Sequence, residues 1–322
     1  MTHPMLLSII IVNYNTKKLT IECCESLFSF LGDKISFEVI IIDNGSHDGS
    51  QAAIRELAHA TSNLHIIESE TNLGFAKANN IGIKKAAGKQ VLLLNSDTYL
   101  IDDSIIQAVN FLDGRPDLFG CGCTLLNADG SIGISYGRFP ELGVVFNEIV
   151  TWRFRQLQAI IPQRPLSVFP IDFPCGAFFL VRKELITEIG LLDEQFFMYC
   201  EETDWAKRAK KAGYCIIHFG PTRIVHLGGQ SNPGDGKPLV EKPNSPGSID
   251  LKTLFFQSWK RYLEKHCAPS SVALVGMLIS LYLRVNSLIF HLLRRKRALD
   301  QYTREIHAFR TGWRTINTFQ NE

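Results

Sequence analysis

An α/β fold, with a mostly parallel sheet and helices on both of its faces, is predicted by a set of apolar runs, the helical segments that follow them and the polar residues at each junction. Leu6 to Val12, Val39 to Ile42 and Val91 to Leu94 are near-continuous apolar stretches. Strands apolar on both sides belong to a sheet covered on both faces, the usual state of parallel strands. Lys18 to Leu31, Ser50 to Ala60 and Asp103 to Leu112 then show the helical period that a crossover connection requires. In sheets of this kind ligands bind outside the carboxyl ends of the strands. Those ends read Asn13-Tyr14-Asn15, Asp43-Asn44-Gly45-Ser46 and Asn95-Ser96-Asp97, which gathers polar groups on one edge.

The chain has 322 residues, 45% of them hydrophobic, enough for one large α/β unit with an appendage. Its net charge of +2 hides a division. From Leu251 to Glu322 there are 12 Lys and Arg against 4 Asp and Glu, a balance of +8, which leaves −6 for the first 250 residues. A basic tail on an acidic body points to an anionic membrane or nucleic acid as the tail's partner. The eight cysteines lie on apolar segments without zinc-type spacing, and Met1 to Pro4 leads directly into a strand-like run. Reduced thiols and no cleavable leader are therefore expected, in a cytoplasmic setting. Cys121-Gly-Cys123 is read as a pair of core thiols.

The stretch with the most chemistry is Cys175 to Trp205, which closes on Glu201, Glu202 and Asp204 behind the aromatic residues Phe196, Phe197 and Tyr199. Carboxylates are seldom buried without a partner, and crowding raises their pKa, which is how a protein makes a general base for a sugar hydroxyl. An acidic first turn of a helix from Glu201 to Ala212 is the plainer account of the same residues. On the sheet edge, Asp43 can accept the imide N–H of a pyrimidine, and Tyr14 offers a ring face for stacking. Asn72, Gly74, Asn79, Asn80 and Gly82 place amides and small residues at a helix start, where backbone N–H groups approach ligands closely. Asp97 is a hard oxygen ligand suited to Mg²⁺ or Mn²⁺. Turn formation and helix capping are the structural alternatives for each.

Taken in order, Ile11 to Asn15, Asp43 to Gly49, Asn72 to Gly82, Asn95-Ser96-Asp97, Gly176-Ala177-Phe178 and Asp193-Glu194 to Asp204 resemble the family 2 glycosyltransferases, and within them the rhamnosyltransferase-like branch. The resemblance runs from about Leu6 to Ser231. It implies a GT-A (Rossmann-like) fold and an inverting, metal-dependent transferase that uses a nucleotide-diphosphate sugar with Mg²⁺ or Mn²⁺. Tyr14 and Asp43 match the family's base-binding residues, with Asn13, Asn72, Gly74, Asn80, Asn95 and Ser96 around the donor. Asp97 matches the last residue of the Asp-x-Asp metal motif, and His226, in Val225-His226-Leu227-Gly228-Gly229, matches a histidine near metal and diphosphate. Glu202 matches the catalytic base, with Glu201 and Asp204 as neighbours able to share that role. Asn95 stands where the motif has its first Asp, and Glu202 stands where Asp is usual.

These expectations divide the chain into a catalytic domain over 1–230, a flexible loop over 231–250 and a helical tail over 251–322. The catalytic domain has a nucleotide-sugar half to about 125 and an acceptor half over 126–230. Glu141 to Pro165, with Trp152, Arg153 and Arg155, reads as an acceptor-facing flap or a packing insertion. In the tail, Ser280, Arg284, Ser287 and His291 draw one polar stripe along an otherwise apolar helix, and Arg294-Arg295-Lys296-Arg297 follow. The preferred reading is an amphipathic helix on the cytoplasmic face of a bacterial inner membrane, peripheral or monotopic; a spanning helix, a tail helix packed on the body and a homodimer contact are the alternatives. Nucleic acid is disfavoured, because the basic residues adjoin an apolar surface rather than alternate with exposed aromatics. The expected reaction moves rhamnose from dTDP-rhamnose, or a sugar from a UDP donor, to a hydroxyl of a lipid-linked saccharide in cell-surface polysaccharide synthesis. A nucleotide-sugar-binding scaffold with a degenerate site and a nucleotidyltransferase are the competing classes.

Overall fold

A computed structural model of the chain describes residues 5–150, 166–228 and 251–314. Its strands are β1 Leu7–Asn13, β2 Phe37–Asn44, β3 Leu64–Ser69, β4 Gln90–Asn95, β5 Thr98–Leu100, β6 Leu118–Leu126, β7 Tyr136–Gly137, β8 Val168–Ile171, β9 Phe173–Pro174, β10 Phe178–Arg182 and β11 Cys215–His226. Its α-helices are α1 Lys17–Leu31, α2 Ser50–Ala60, α3 Phe75–Lys85, α4 Ile105–Asp113, α5 Leu142–Val150, α6 Lys183–Ile189, α7 Glu201–Lys211, α8 Leu251–His266, α9 Pro269–Leu292 and α10 Lys296–Arg314. The chain forms two compact units. Of the described residues, one unit holds 5–138, 166–194 and 201–228, and the other holds 139–150, 195–200 and 251–314.

The first unit is built on a mixed sheet in the order β3-β2-β1-β4-β10-β6-β11-β5, with β8 also paired to β11. The run β3-β2-β1-β4 is parallel throughout, as the apolar runs predicted. Strand β10 is antiparallel to both β4 and β6, while β11 runs parallel to β6. Every residue of β2 is buried, and so are six of the seven in β1. One face of the sheet contributes Ile9, Ile11, Val39, Ile41, Leu92 and Leu94 to a core shared with Cys23, Cys24 and Leu27 of α1. The opposite face takes α3 at close range: a Cβ on Gly82 would come within 2.6 Å of Ile10 Cγ2, so only glycine permits this helix–sheet spacing. Burial pushes the Cys23 and Cys121 thiols up to about 12, in keeping with reduced core residues.

Helix α7, read from sequence as Glu201 to Ala212, runs over Glu201–Lys211. Trp205 anchors it, with a fully buried ring set edge-on to Phe119 and Phe179 and its indole N–H donated to Gly190 O at 2.8 Å. Tyr199 and Cys200, just before the helix, both take left-handed backbone conformations (φ 72° and 65°). Non-glycine residues rarely adopt these conformations, which mark a sharp entry into the helix.

The second unit packs α8, α9 and α10 together with α5 against α9. Close approach again depends on small residues, since a Cβ on Gly276 would meet Trp313 Nε1 at 2.6 Å, and one on Gly312 would meet Thr253 O at 2.6 Å. Aromatic side chains fill the interior, with Phe256 edge-on to Phe309 and Trp259 Nε1 donating to Pro140 O at 3.0 Å. Helix α9 is long and apolar enough to cross a membrane by length and composition. Its surface, however, is split. Val272, Val275, Gly276, Ile279, Tyr282, Leu283 and Asn286 are buried within the unit, whereas Leu274, Met277, Leu281, Val285, Leu288 and Leu292 form an exposed apolar stripe. Arg284 and His291 of the expected polar stripe are exposed, and Ser280 and Ser287 are half-buried. The single apolar surface read from sequence is thus two surfaces, one consumed by helix packing. Trp152, Arg153, Arg155 and the loop over 231–250 lie outside the described residues.

Replacing Trp205 with Ala removes a ring with no solvent exposure together with its indole hydrogen bond. The expected loss of folding free energy is roughly 3 to 5 kcal/mol, measured as a lower denaturant midpoint; a midpoint unchanged from wild type would show that α7 is not anchored there.

Candidate active site

Register brings the predicted strand ends together. Asn13 pairs with Asp43 across β1 and β2, and Val12 pairs with Asn95 across β1 and β4. The structure commits most of these polar side chains to one another. Asn13 Nδ2 donates to Asp43 Oδ2 at 2.6 Å and to Ser46 Oγ at 3.0 Å, while Asn13 Oδ1 accepts from the Thr16 and Thr20 hydroxyls at 2.8 and 2.7 Å. Thr16 Oγ1 in turn lies 3.0 Å from Ser96 Oγ. Asp43, with 0% exposure, accepts from Ser46 N and from Gln51 Nε2 on Oδ1, both at 3.0 Å. A buried chain of hydrogen bonds therefore runs from Gln51 through Asp43, Asn13 and Thr16 to Ser96.

Two further predicted residues hold the loops around this edge. Asn44 Nδ2 donates to Asn72 Oδ1 at 2.8 Å, and Asn72 Oδ1 also accepts from Gly74 N at 3.0 Å. Gly45 (φ 80°) fits beneath this loop because a Cβ there would lie 2.7 Å from Thr71 C. Asn80 bonds Leu192 O and Glu194 Oε1 through Nδ2, at 2.9 and 3.0 Å, and accepts from Leu192 N at 3.1 Å, tying α3 to the segment before α7. Tyr14 and Asn95 are half-buried at the strand ends. The strand ends read from sequence included Ser46 but none of Thr16, Thr20 or Gln51. Two hydroxyls one turn apart at the start of a helix were a readable sign for the threonines; a lone Gln on a helix carries no sign at all.

The second part of the site lies at β5 and β11, where His226 pairs with Thr98 and Leu227 N donates to Asp97 O at 2.9 Å. This pairing sets His226 Nε2 3.3 Å from Asp97 Oδ1 on a carboxylate that is 2% exposed. Among the described residues no group of three His, Cys, Asp or Glu side chains converges as a metal cluster. A carboxylate and an imidazole side by side fit an Mg²⁺ or Mn²⁺ ion whose remaining positions are filled by ligand oxygens and water, the habit of ions that bridge phosphates.

Glu202 lies over Gly176, where a Cβ would approach its Cγ and Cδ to 3.8 Å. The adjacent Cys175 feels both halves of the site. Burial pushes its thiol up to about 11, with the charges of Glu202 and Asp97 adding to the shift. Burial, and then the Glu202 charge, hold the Glu201 carboxyl well above its ordinary value of 4.5. Burial raises Glu202 as well, against hydrogen bonds from the backbone, from the Thr203 hydroxyl at 3.3 Å and from Glu201. Both carboxyls are therefore raised by burial and titrate as a coupled pair. Asp204 does not join them. Its carboxylate has no solvent exposure and accepts from Arg208 Nε at 2.8 Å, and Arg208 also donates to the carbonyls of Ile189 and Leu191. This ion pair, one helical turn long, braces α7.

The profile described as glycosyl transferase family 2 matches residues 8–190 of the chain. The chain is 28% identical over 229 residues to the low-salt glycan biosynthesis hexosyltransferase Agl10 of Haloferax volcanii, covering 68% of this chain and 65% of that protein. It is 27% identical over 205 residues to an N-acetylglucosaminyl-diphospho-decaprenol L-rhamnosyltransferase of Mycobacterium tuberculosis, covering 58% and 66%. The matches therefore span a little under two thirds of either relative's length. Among solved structures, the mannosyltransferase PcManGT of Pyrobaculum calidifontis, in complex with GDP-Man and Mn²⁺, superposes with a TM-score of 0.56 at 17% identity over 97% of this chain and 85% of that one. TarS 1-349 of S. aureus in complex with UDP-GlcNAc gives the same score of 0.56 at 18% identity, over 96% and 90%. At these identities the likeness is one of fold.

A carboxyl whose pKa is raised on folding favours the folded state below its ordinary value, and that contribution is lost as pH rises through the folded pKa. Glu202→Gln is therefore expected to match wild type near the ordinary value of 4.5 and to melt higher than wild type at neutral pH and above. Thermal melts across that range check this; a variant less stable at every pH would show that the carboxylate is well solvated.

Proposed function

The chain belongs to glycosyl transferase family 2, and from that premise we propose that it is an inverting transferase moving a sugar from a nucleotide-diphosphate donor to a hydroxyl of a lipid-linked saccharide in cell-surface polysaccharide synthesis. The observation that carries the reading is the meeting of two strand ends at the Cys175-Gly176-Ala177 turn: Glu202 lies over Gly176, and Ala177 O accepts from Asn95 N, two residues before Asp97. A base and a cation-holding carboxylate are thereby within reach of one donor. Glu202 takes the acceptor hydroxyl proton; the acceptor oxygen bonds to the anomeric carbon as the carbon–oxygen bond to the diphosphate breaks, leaving its electron pair on the diphosphate. Glu201, buried beside it, raises the pair's basicity, because burial disfavours charge on either carboxyl. Asp97 and His226 would hold a divalent ion, which when bound supplies positive charge for the leaving diphosphate.

At the other end of the donor, Tyr14 stacks on the base and Asp43 accepts its imide N–H, which selects uracil or thymine. Asn13, Asn72, Asn80 and Ser96 act through the scaffold that holds these groups, and Gly74 and Asn95 line the donor. The rhamnosyltransferase name of the mycobacterial relative supports dTDP-rhamnose as donor and a polyprenyl-diphosphate-linked acceptor, with UDP-sugars next. The test is release of nucleoside diphosphate from candidate donors in the presence of Mg²⁺ or Mn²⁺ and acceptor. Glu202→Gln is expected to leave donor binding intact and cut turnover by roughly 10² to 10⁴, and EDTA to abolish it. Free diphosphate release, or full turnover in EDTA, would overturn the assignment.

The second unit supplies a membrane contact on the cytoplasmic leaflet. The exposed stripe from Leu274 to Leu292 ends at Arg294, Arg295, Lys296 and Arg297, all exposed. Six large side chains at about 1 kcal/mol each after partial insertion, with about 1 kcal/mol per basic residue beside anionic lipid, suffice for peripheral residence. The occupied inner face of α9 supports a helix that lies on the membrane over one that spans it. Changing the four basic residues to Gln is expected to weaken sedimentation with anionic vesicles in a salt-dependent way, while Leu281→Asp with Leu288→Asp abolishes it. Protein that ignores anionic vesicles would assign the stripe to self-association.

A further inference from the structure

We propose that Gln51 stands in for the nucleobase on Asp43, so that its side-chain amide must swing away before a base is read, and that it thereby sets the affinity and selectivity of donor binding. The inference rests on the assignment of Asp43 to the base in the proposed function.

It follows from an accounting of the Asp43 carboxylate. With 0% exposure, the carboxylate is reached by no ligand unless something moves. Three donors face it: Asn13 Nδ2 on Oδ2, with Ser46 N and Gln51 Nε2 on Oδ1. Asn13 is buried and holds Ser46, Thr16 and Thr20 as well, so its departure would strand several polar groups at once. Ser46 N is backbone in a turn fixed by Gly45 packed on Thr71. Gln51 differs on every count. It is half-buried, sits in the first turn of α2 and reaches Asp43 through one neutral hydrogen bond at the end of a flexible side chain.

The chemistry of that bond resembles the one expected of the donor. A carboxamide N–H and the imide N–H of uracil or thymine are both neutral donors flanked by a carbonyl, and either satisfies the same oxygen. Cytosine offers a bare ring nitrogen at the equivalent position and cannot replace Gln51 without leaving Asp43 short of a donor. Exchange of Gln51 for an imide leaves the buried carboxylate satisfied in both the free and the donor-bound state. It also places a tax on binding, because the apparent affinity falls by the fraction of molecules in which Gln51 has already left.

Calorimetric titration of the full chain with UDP, dTDP and CDP in Mg²⁺ tests this in wild type, Gln51→Ala and Asp43→Asn. If Gln51 occupies Asp43 in roughly 70 to 90% of molecules, Gln51→Ala binds UDP and dTDP about 3- to 10-fold more tightly and CDP unchanged. Weaker or unchanged UDP binding, or an equal gain for CDP, overturns the proposal. Asp43→Asn separates the two levels: a collapse of the UDP-over-CDP preference in Asp43→Asn, without a gain in Gln51→Ala, refutes the role of Gln51 alone. An unaltered preference in Asp43→Asn refutes the base assignment itself. A measurement on wild type guards against misfolded variants: the Gln51 side-chain amide resonance in ¹⁵N-labelled protein is expected to shift on UDP and stay in place on inorganic diphosphate, and a resonance unmoved by UDP overturns the exchange.

Discussion

The hydrogen bond from Asn13 Nδ2 to Asp43 Oδ2, 2.6 Å long and without solvent, is the point at which the sheet becomes a site. An ionised carboxylate in the interior is costly unless its oxygens are filled, and Asn13 fills one of them while using its own carbonyl to hold Thr16 and Thr20. Those hydroxyls fix the start of α1, and Thr16 reaches on to Ser96, the neighbour of Asp97. One amide therefore organises two loops and the approach to a third. Because β1, β2 and β4 are parallel and in register, the same edge receives all three loops; an antiparallel arrangement would have sent them to opposite ends.

The antiparallel strands bring the second group of predicted site residues together. Strand β10 enters the sheet at Phe178, opposite Leu94, with Asn95 N bonded to Ala177 O at 3.1 Å, which brings Gly176 beside the end of β4. Strand β11 leaves the sheet at His226, opposite Thr98. Each is directed against the neighbour that carries Asn95 or Asp97, so residues some 80 to 130 positions apart in the chain meet there. Burial raises the Glu201 and Glu202 carboxyls, a cost in solvation typical of functional sites.

The second unit meets a different constraint. Helices α5, α8 and α10 bury one face of α9, with Gly276 and Gly312 as close-contact points within the unit and aromatic rings as filler. What remains on the outside is an apolar stripe leading into a basic cluster, a combination matched to an anionic lipid surface and poorly matched to water.

The sequence by itself determined the parallel half of the sheet, because runs such as Leu6 to Val12 are apolar at all but one position and only a doubly covered strand tolerates that. It also determined which strand ends carry polar groups and, through the motif order, the family to which the chain belongs. Tertiary structure alone decided what those polar groups do. Asp43, Asn72 and Asn80 are legible as donor-facing residues, yet each is bonded to protein, since a hydrogen-bond partner is chosen by distance across the fold and sequence spacing carries no record of it. Asp204 reads as part of an acidic cluster, and its pairing with Arg208 follows from the side of α7 on which a helical period places it. Gln51 and Cys175 were invisible for the same reason: neither has a signature in its local sequence, and each gains meaning only from the carboxylates that folding brings beside it.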